Sequence, residues 1–316
     1  MNLDLTDDQA AVADLFSTFF ARESPSQVVR AAEATGFAPK LWTRLGETGA
    51  LTMAMAGGGA GLFELVLCAE AGGRHLAPVP FVEHVVATRA LEGAGVALDD
   101  EIVTLALRGD GRLVPAGAIA SAVVARVGDG LVVARGAVPD APVPNTAALP
   151  LADRSLADAE VVGDGARHDH ALDEWRLLTA AALVGLCDAA LDLGVAYVRE
   201  RHQFGVPIGS FQAIQHGLAE LPGPLSGARL LVRRAAWRFD DGDRSRFAID
   251  ASMAFLFATD LARTLTGRVL HHHGGYGVME EHDIQLHYRR ARGWPAQLGD
   301  PAVELSRLAT LLEAAR

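Results

Sequence analysis

Apolar side chains recur every three or four residues through the first part of the chain, which predicts helices. A first helix is predicted after Thr6, a suitable N-cap because two aspartates follow it in the first turn. The stretch LWTRLGETGA (41–50) predicts a second helix that ends at glycine, and Gly57–Gly61 lie in a predicted loop. The stretch FELVLCAEAGGRHLAPVPF predicts a helix that ends at its two glycines and is followed by a proline-rich segment.

The pattern changes between residues 100 and 168, where short Val-rich stretches alternate between apolar and polar positions. These stretches are EIVTLALR, AIASAVVARV and GLVVARGAV, and the Gly-Asp turns RGDG and VGDG lie between them. They predict the strands of a small antiparallel sheet. Helical pattern then returns to the end of the chain, interrupted by FDDGDRSR and HHHGGYG. We therefore predict an α+β, mostly α chain with helical residues 1–98, a small β domain over 99–168 and a helical domain over 169–316.

Composition and charge narrow the class of protein. The formal net charge is −11 and the sequence has no long basic run, so no nucleic-acid partner is expected. Cys68 and Cys187 form no CxxC pair, which fits a reducing, cytoplasmic location, and the N-terminus has no signal-peptide pattern. The apolar run Leu177–Val198 could span a bilayer, but Asp188 and Asp192 would each cost about 2.5–3.5 kcal/mol at its centre. We predict a buried helix and no membrane insertion.

The segment RERHQFGVPIGSFQAIQHGLAELP has more polar and helix-breaking residues than a core helix would tolerate. It predicts a helix that breaks at Gly205–Pro207 and a new helix capped by Ser210. Arg201 would then lie at a helix end, where the forked donors of a guanidinium suit a phosphate. Phe204 and Phe211 offer flat apolar surface for a ring system. From spacing alone, a helix corner tied together by an arginine bound to backbone carbonyls is the better explanation of the segment.

A second polar segment contains the run His271–His273. Adjacent histidines on a helix point in different directions, so they are poorly placed to bind one metal ion, and no metal site is expected. A loop that contacts a cofactor explains the run better. For His272, a helix C-terminus at which imidazoles favour the dipole is an alternative.

The two segments together resemble the acyl-CoA dehydrogenase family. The matching signature is Tyr197-x-x-x-Arg201-x-Gln203-Phe204-Gly205-x-Pro207-Ile208-x-x-Phe211-Gln212. The segment HHHGGYGVMEEHDIQLHYRRAR resembles the family's Gln-x-His-Gly-Gly-x-Gly region, and the resemblance covers nearly the whole chain. It implies an N-terminal helical domain, a small truncated antiparallel β domain and a C-terminal four-helix bundle.

The resemblance also implies a cofactor and a reaction. The family binds FAD and oxidises acyl-CoA thioesters across Cα–Cβ, with a glutamate that removes the α-proton while the flavin takes the β-hydride. Its Arg-x-Gln-Phe segment reaches across a dimer interface to the partner's FAD, so Arg201 would meet the pyrophosphate and Phe204 would pack near the adenosine. His271 replaces a glutamine that contacts FAD. The implied cofactor-binding residues are Arg201, Gln203, Phe204, Gln212, His271, Gly274 and Gly275.

The catalytic glutamate of the family has no counterpart in this sequence. Aligning Arg289–Arg292 with the family's Arg-Asp-Ala-Lys/Arg places one base position at Leu298. Some members carry the base instead one residue before an arginine, a position that Trp175 occupies here. Glu174 is adjacent, but one residue along a helix is a rotation of ~100°. We therefore expect no catalytic residue in this chain, with Glu174 as the fallback.

The family's Thr-Glu-Pro-x-x-Gly-Ser-Asp loop, which holds the flavin ring, has no counterpart between residues 80 and 170. The chain thus resembles the short, base-less subunit of heteromeric actinobacterial acyl-CoA dehydrogenases. This implies a longer partner subunit in an α2β2 assembly, a bulky acyl-CoA such as a steroid side-chain thioester, and electron-transfer flavoprotein as acceptor. One FAD site per heterodimer would leave room for a polycyclic acyl group.

Two other functions remain open from the sequence. A homomeric flavoenzyme could use Glu174 or Glu281 as base, although Glu281 would more ordinarily pair with Arg289 or Arg290. A structural subunit without an active site would have no chemical reason to keep the Arg201 segment.

Overall fold

The computed structural model describes residues 4–96 and 101–316. The N-terminal part is helical, and its elements are α1 (Asp7–Glu23), α2 (Ser26–Ala31), α3 (Pro39–Glu47), α4 (Leu62–Arg74) and α5 (Phe81–Gly93). The predicted cap is confirmed: the Thr6 hydroxyl accepts from the Gln9 amide at 3.2 Å, and the Gln9 side chain accepts from the Thr6 amide. The predicted glycine stop is wrong, because α4 continues through Gly72 and Gly73 to Arg74.

A four-stranded sheet follows, in the order β1-β2-β3-β4. Its strands are β1 (Val103–Leu105), β2 (Ala122–Val127), β3 (Gly130–Arg135) and β4 (Glu160–Asp164). β2, β3 and β4 pair antiparallel as predicted, but β1 runs parallel to β2, with Val103 opposite Ala122. The prediction failed there because the chain does not form a hairpin at RGDG. The segment after β1 returns to the end of the sheet at which β1 starts, so β2 runs in the same direction as β1. β4 was not predicted, since EVVGD has no clear alternation.

The remaining chain is again helical. Its elements are α6 (Ala166–Glu200), β5 (His202–Gln203), β6 (Val206–Pro207), a 3-10 turn (Ile208–Ser210), α7 (Gln212–Ala219), α8 (Pro222–Asp240), α9 (Phe247–His273), a second 3-10 turn (Gly274–Val278), α10 (Ile284–Ala296) and α11 (Pro301–Ala314). The helix breaks predicted at FDDGDRSR and HHHGGYG are confirmed. Ser210 does not cap α7: its hydroxyl donates to the Pro207 carbonyl at 2.7 Å, and Phe211 occupies the cap position.

Helix α6 is the centre of the fold. It is 35 residues long, and a continuous hydrophobic core joins it to α4 and α5 on one side and to α8 and α9 on the other. Among the described residues it is the one helix long and apolar enough to cross a membrane, yet 67% of its most apolar window is buried inside the protein. The buried residues include Trp175 and Cys187. The predicted core helix is therefore confirmed.

The crossing of α4 and α6 is unusually close because glycines occupy it. A Cβ atom at Gly185 would lie 1.9 Å from the Glu70 carbonyl oxygen, and one at Gly73 would lie 2.0 Å from the Ala182 carbonyl oxygen. Arg229 binds Glu70 beside this contact at 2.7 Å. The two backbones thus touch, and neither glycine can carry a side chain without moving a helix.

We predict that Gly185→Ala destabilises the protein by about 3 kcal/mol, because the added methyl overpacks a contact formed by backbone atoms. Gly46→Ala is the matched control: the new methyl would lie 3.5 Å from the Leu51 side chain, in ordinary contact. That change should be neutral or stabilise α3 by up to about 1 kcal/mol. Urea unfolding midpoints of both variants measure the difference, and equal midpoints would refute the close crossing.

His84 joins the helical part to the sheet. Its Nδ1 accepts from the Val103 amide of β1 at 3.2 Å, and its ring packs edge-on against Trp42 at 5.1 Å. Burial lowers the pKa of His84 to about 4, and burial also lowers the pKa of His287 to about 4. Both imidazoles are therefore neutral in the folded protein at neutral pH.

Between pH 6.5 and 4 the unfolded chain binds more protons at His84 than the folded protein does. This contribution to stability is complete above about pH 6.5 and is lost progressively as the pH falls toward 4, amounting to about 3 kcal/mol. We predict that His84→Gln removes that part of the acid-induced loss, as measured by urea unfolding at pH 7 and pH 4.5. The control variant His202→Gln, at an exposed site, should show the same change in unfolding stability between pH 7 and pH 4.5 as the wild type. If His84→Gln also shows the wild-type change, His84 is not the source of the pH dependence.

Candidate cofactor-binding surface

Arg201 ends α6 and begins a two-stranded hairpin. Its carbonyl accepts from the Ile208 amide at 2.7 Å, and the hairpin turns at Phe204 and Gly205 with φ values of 54° and 81°. Two consecutive positive φ values give the tight turn whose twist matches a β-hairpin. Glycine adopts this conformation freely, but for a phenylalanine it is strained. The turn holds the Phe204 side chain away from the protein, and 92% of it is exposed.

The polar groups of the hairpin are not used within the chain. In the described residues the Arg201 guanidinium has no ion pair and no hydrogen bond, so it does not tie the helix corner to backbone carbonyls as one interpretation of the sequence required. Phe204 meets Phe211 edge-to-face at 6.2 Å between ring centroids. Gln203 and Gln212 are exposed on either side of this aromatic pair. The hairpin thus presents one cation, two amides and two rings to solvent.

The second predicted segment lies beside the first. His271 is exposed at the end of α9, and Gly274 leaves the helix with φ 61° and ψ −149°. A Cβ atom at Gly274 or Gly275 would meet nothing within 4 Å, so the backbone there is open to an approaching molecule. All seven residues predicted to bind a cofactor are exposed.

Tyr197 connects the two segments, a role that spacing alone did not reveal. It lies one helical turn before Arg201, and its ring stacks on His273 with centroids 4.1 Å apart and 22° between planes. His273 is buried, with its Nδ1 bonded to the Val269 carbonyl at 2.8 Å, and His282 packs against it edge-on at 4.5 Å. The alternative role of His272, an imidazole that favours the dipole at a helix C-terminus, depends on a positive charge. Burial lowers the pKa of that imidazole and so disfavours its charged form.

The residues at the base positions cannot take a proton. Leu298 is half-buried against the core, and Trp175 is fully buried. Glu174 is also buried, and the Arg89 guanidinium holds both of its oxygens, at 2.8 Å and 3.1 Å. This carboxylate is committed to a bidentate ion pair between α5 and α6.

Glu281 is exposed, and the expected pairing with Arg289 or Arg290 is wrong. Both arginines instead bind Glu33, each at 2.6 Å. The sequence could not reveal this partner, because Glu33 lies just after α2 and meets α10 only through the tertiary fold.

Comparison with known proteins agrees with this architecture of a helical N-terminal part, a small sheet and a helical bundle. Residues 164–312 match the family model described as "Acyl-CoA dehydrogenase, C-terminal domain". The "Acyl-CoA dehydrogenase IpdE2" of Mycolicibacterium smegmatis is 30% identical over 324 residues, spanning 96% of this chain and 98% of the relative. The solved structure "Tcur3481-Tcur3483 steroid ACAD G363A variant" has a TM-score of 0.87 and 26% identity, covering 98% of each chain. A chain of the ChsE4-ChsE5 complex from Mycobacterium tuberculosis shares the fold, with a TM-score of 0.85, 23% identity and 99% of each chain covered.

This chain belongs to the acyl-CoA dehydrogenase family, whose members are FAD-dependent oxidoreductases.

Because Glu174 is tied to Arg89, we predict a structural effect for Glu174→Gln. The variant should lose about 3 kcal/mol of stability, since removal of one charge leaves the buried side of Arg89 unpaired. Glu281→Gln, at an exposed site, is the control and should unfold as the wild type does. Urea unfolding measures both. Full stability together with loss of turnover in Glu174→Gln would identify Glu174 as a base instead.

Proposed function

We propose that this chain is the FAD-contacting, base-less subunit of a heteromeric acyl-CoA dehydrogenase. One observation carries the proposal: Arg201 has no partner among residues 4–96 and 101–316 and Phe204 protrudes into solvent, while the residues at the base positions cannot abstract a proton. A surface suited to a nucleotide cofactor thus occurs on a chain whose described residues offer no placed group for the proton transfer. A second, longer subunit would supply the base and the acyl-CoA pocket.

The exposed surface fits the nucleotide half of FAD. Arg201 has unpaired donors for the pyrophosphate, and a guanidinium binds two phosphate oxygens at once. Phe204 and Phe211 would pack on the adenosine, with Gln203 and Gln212 as neutral partners at its edges. The open backbone at Gly274 and Gly275, together with His271, would lie against the same cofactor. When bound, FAD supplies the acceptor for the β-hydride of the substrate.

The proton transfer needs a base within ~2.6–3.2 Å of the α-carbon's proton, or one water away. Leu298 and Trp175 have no basic atom, and Glu174 has both oxygens committed to Arg89. Glu281 is exposed before α10. We therefore assign the base to the partner subunit. This distribution of groups is the reason that a homomeric enzyme is the weaker alternative.

The relatives support the choice of assembly and substrate class. The solved structure with 26% identity is a variant of a steroid acyl-CoA dehydrogenase whose name combines two components, Tcur3481 and Tcur3483. We propose an α2β2 assembly in the cytoplasm, a bulky acyl-CoA of the steroid side-chain kind, and electron-transfer flavoprotein as acceptor. We also propose the three-part division at residues 98 and 168, with the C-terminal part as the FAD-contacting domain; the boundary at residue 98 lies outside the described residues.

The first experiment measures flavin on the purified chain alone and after co-expression with a longer acyl-CoA dehydrogenase subunit as candidate partner. We expect flavin absorbance only in the co-purified complex, at one FAD per pair. Arg201→Ala in the complex should weaken FAD binding by about 10- to 100-fold, the loss expected for a charge-assisted hydrogen bond. Arg199→Ala, which removes an exposed arginine two residues earlier near the end of α6, should leave FAD binding as in the wild type.

Two results would overturn the proposal. A stoichiometric yellow protein from this chain alone would show that no partner is needed for FAD. Unchanged flavin content and turnover in the Arg201→Ala complex would indicate a structural subunit with no part in the site.

A further inference from the structure

The side chain of His273 lies where the end of α6 meets the turn that follows α9 (Gly274–Val278). It is only 3% exposed, and it stacks on Tyr197, the residue one helical turn before Arg201, with ring centroids 4.1 Å apart. A Cβ atom at Gly277 would lie 2.7 Å from the Cβ of His273, so the turn closes directly over this side chain. The end of α6 and the turn after α9 therefore both pack on one imidazole.

The hydrogen bonds of His273 fix which of its nitrogens carries the proton. Nδ1 lies 2.8 Å from the Val269 carbonyl, and because a carbonyl only accepts, Nδ1 holds the proton. Nε2 is then a bare acceptor, and it is buried without a hydrogen-bond partner among the described residues. A second proton would have to bind there, and its new N–H donor would meet no acceptor. The packed position thus accepts the neutral ring and disfavours the charged one.

Aromatic rings surround the imidazole of His273. The Tyr197 ring covers it from α6, and the His282 ring packs edge-on against it at 4.5 Å from the segment before α10. Tyr276 packs edge-on against His282 in turn, at 5.1 Å, and His272 precedes His273 on α9. These rings contribute packing but no negative charge.

The charged groups of the neighbourhood also leave His273 without a counter-ion. Asp283, which follows His282, is paired with Arg30 of α2 at 2.6 Å. No carboxylate in residues 4–96 and 101–316 forms an ion pair with His273. Burial lowers the pKa of His273, its bond to the Val269 carbonyl opposes that effect, and the neighbouring imidazoles lower the pKa further.

We propose that His273 is a positioning residue that holds the Arg201 hairpin and the turn after α9 together only while its ring is neutral. A proton on Nε2 favours a released state in which the ring reaches water and the spacing between Arg201 and Gly274 is no longer fixed. The released state binds the proton more readily, so it gains population as the pH falls below about 6.5, and the packed state is complete above that pH. FAD binding would then weaken in acid. That consequence rests on the proposed function, whereas the packing change itself needs neither flavin nor a partner.

Hydrogen exchange on the full chain, between about pH 7.5 and 5.5, measures the release. The Ile208 amide donates to the Arg201 carbonyl at 2.7 Å in the hairpin, and the Met279 amide donates to the Tyr276 carbonyl at 3.2 Å in the turn. We expect the protection factors of both amides to fall by about 2- to 10-fold over this range. One proton taken up over one pH unit below 6.5 changes an equilibrium by at most about tenfold.

Two variants should remove this pH dependence in opposite ways. His273→Phe keeps a ring for the stack on Tyr197 and cannot take a proton, so both amides should stay protected throughout. The loss of Nε2 breaks no hydrogen bond among the described residues. Tyr197→Leu removes the stack, so both amides should exchange about 2- to 10-fold faster at every pH, as expected for the loss of one aromatic pair.

Two further variants are the matched controls. Tyr197→Phe loses only the 3.4 Å contact of its hydroxyl with the His273 carbonyl and should keep the wild-type pH dependence. His282→Phe leaves His273 able to take a proton and should also keep it. If His273→Phe does not fold, Tyr197→Leu decides, since it should remove the pH dependence by releasing the two segments at every pH.

FAD affinity of the complex with a longer subunit is the second measurement. It should fall by about 2- to 10-fold from pH 7.5 to 5.5 in the wild type and stay constant in His273→Phe. The inference is overturned if the wild-type amides keep their protection at pH 5.5, if His273→Phe or Tyr197→Leu keeps the pH dependence, or if His282→Phe abolishes it. Failure of the proposed function has a different result: Arg201→Ala would leave FAD binding unchanged while hydrogen exchange still depends on His273.

Discussion

The backbone contact between α4 and α6 is the constraint on which the rest of the structure depends. Gly73 and Gly185 let the two helices touch, and this fixes where a 35-residue helix lies in the core. One end of α6 carries Glu174 and Trp175 into the interior beside α5. The other end places Arg201 at the surface, where the hairpin begins. A shift at the crossing would therefore move the buried ion pair and the exposed hairpin together.

How much the sequence could predict depended on whether the determining contacts are local. The helix break before α7 and the end of α9 were predictable because glycine and proline act within a few positions of themselves. The parallel pairing of β1 with β2 was not, since it depends on a crossover that short strands do not encode. The glycines at Gly72–Gly73 were mistaken for a helix stop for a related reason. Their role is the close approach of another helix, which no single-helix pattern contains.

The same distinction between local and tertiary contacts applies to the candidate site. Its exposed residues could be assigned through the resemblance, because they are contiguous and carry a distinctive order of arginine, glutamine and phenylalanine. The fates of Glu174, Glu281 and Glu33 could not, because each depends on which arginine the fold brings near. Arg89, Arg289 and Arg290 select their partners across long stretches of chain. Carboxylates that look equivalent in sequence are thereby separated into a structural ion pair, an exposed side chain and a shared counter-ion.

The Phe204 hairpin is unfavourable for an isolated chain, and this is informative. A phenylalanine at φ 54° carries backbone strain of order 1–3 kcal/mol, and its ring is 92% exposed to water. Folding of this chain gains little from such a residue, since the single ring contact with Phe211 buries only part of it. The arrangement becomes favourable when a second surface covers the ring and an anion meets the free guanidinium next to it. The strain and the exposure of the hairpin therefore support the proposal that it forms one side of an interface whose other side includes a cofactor.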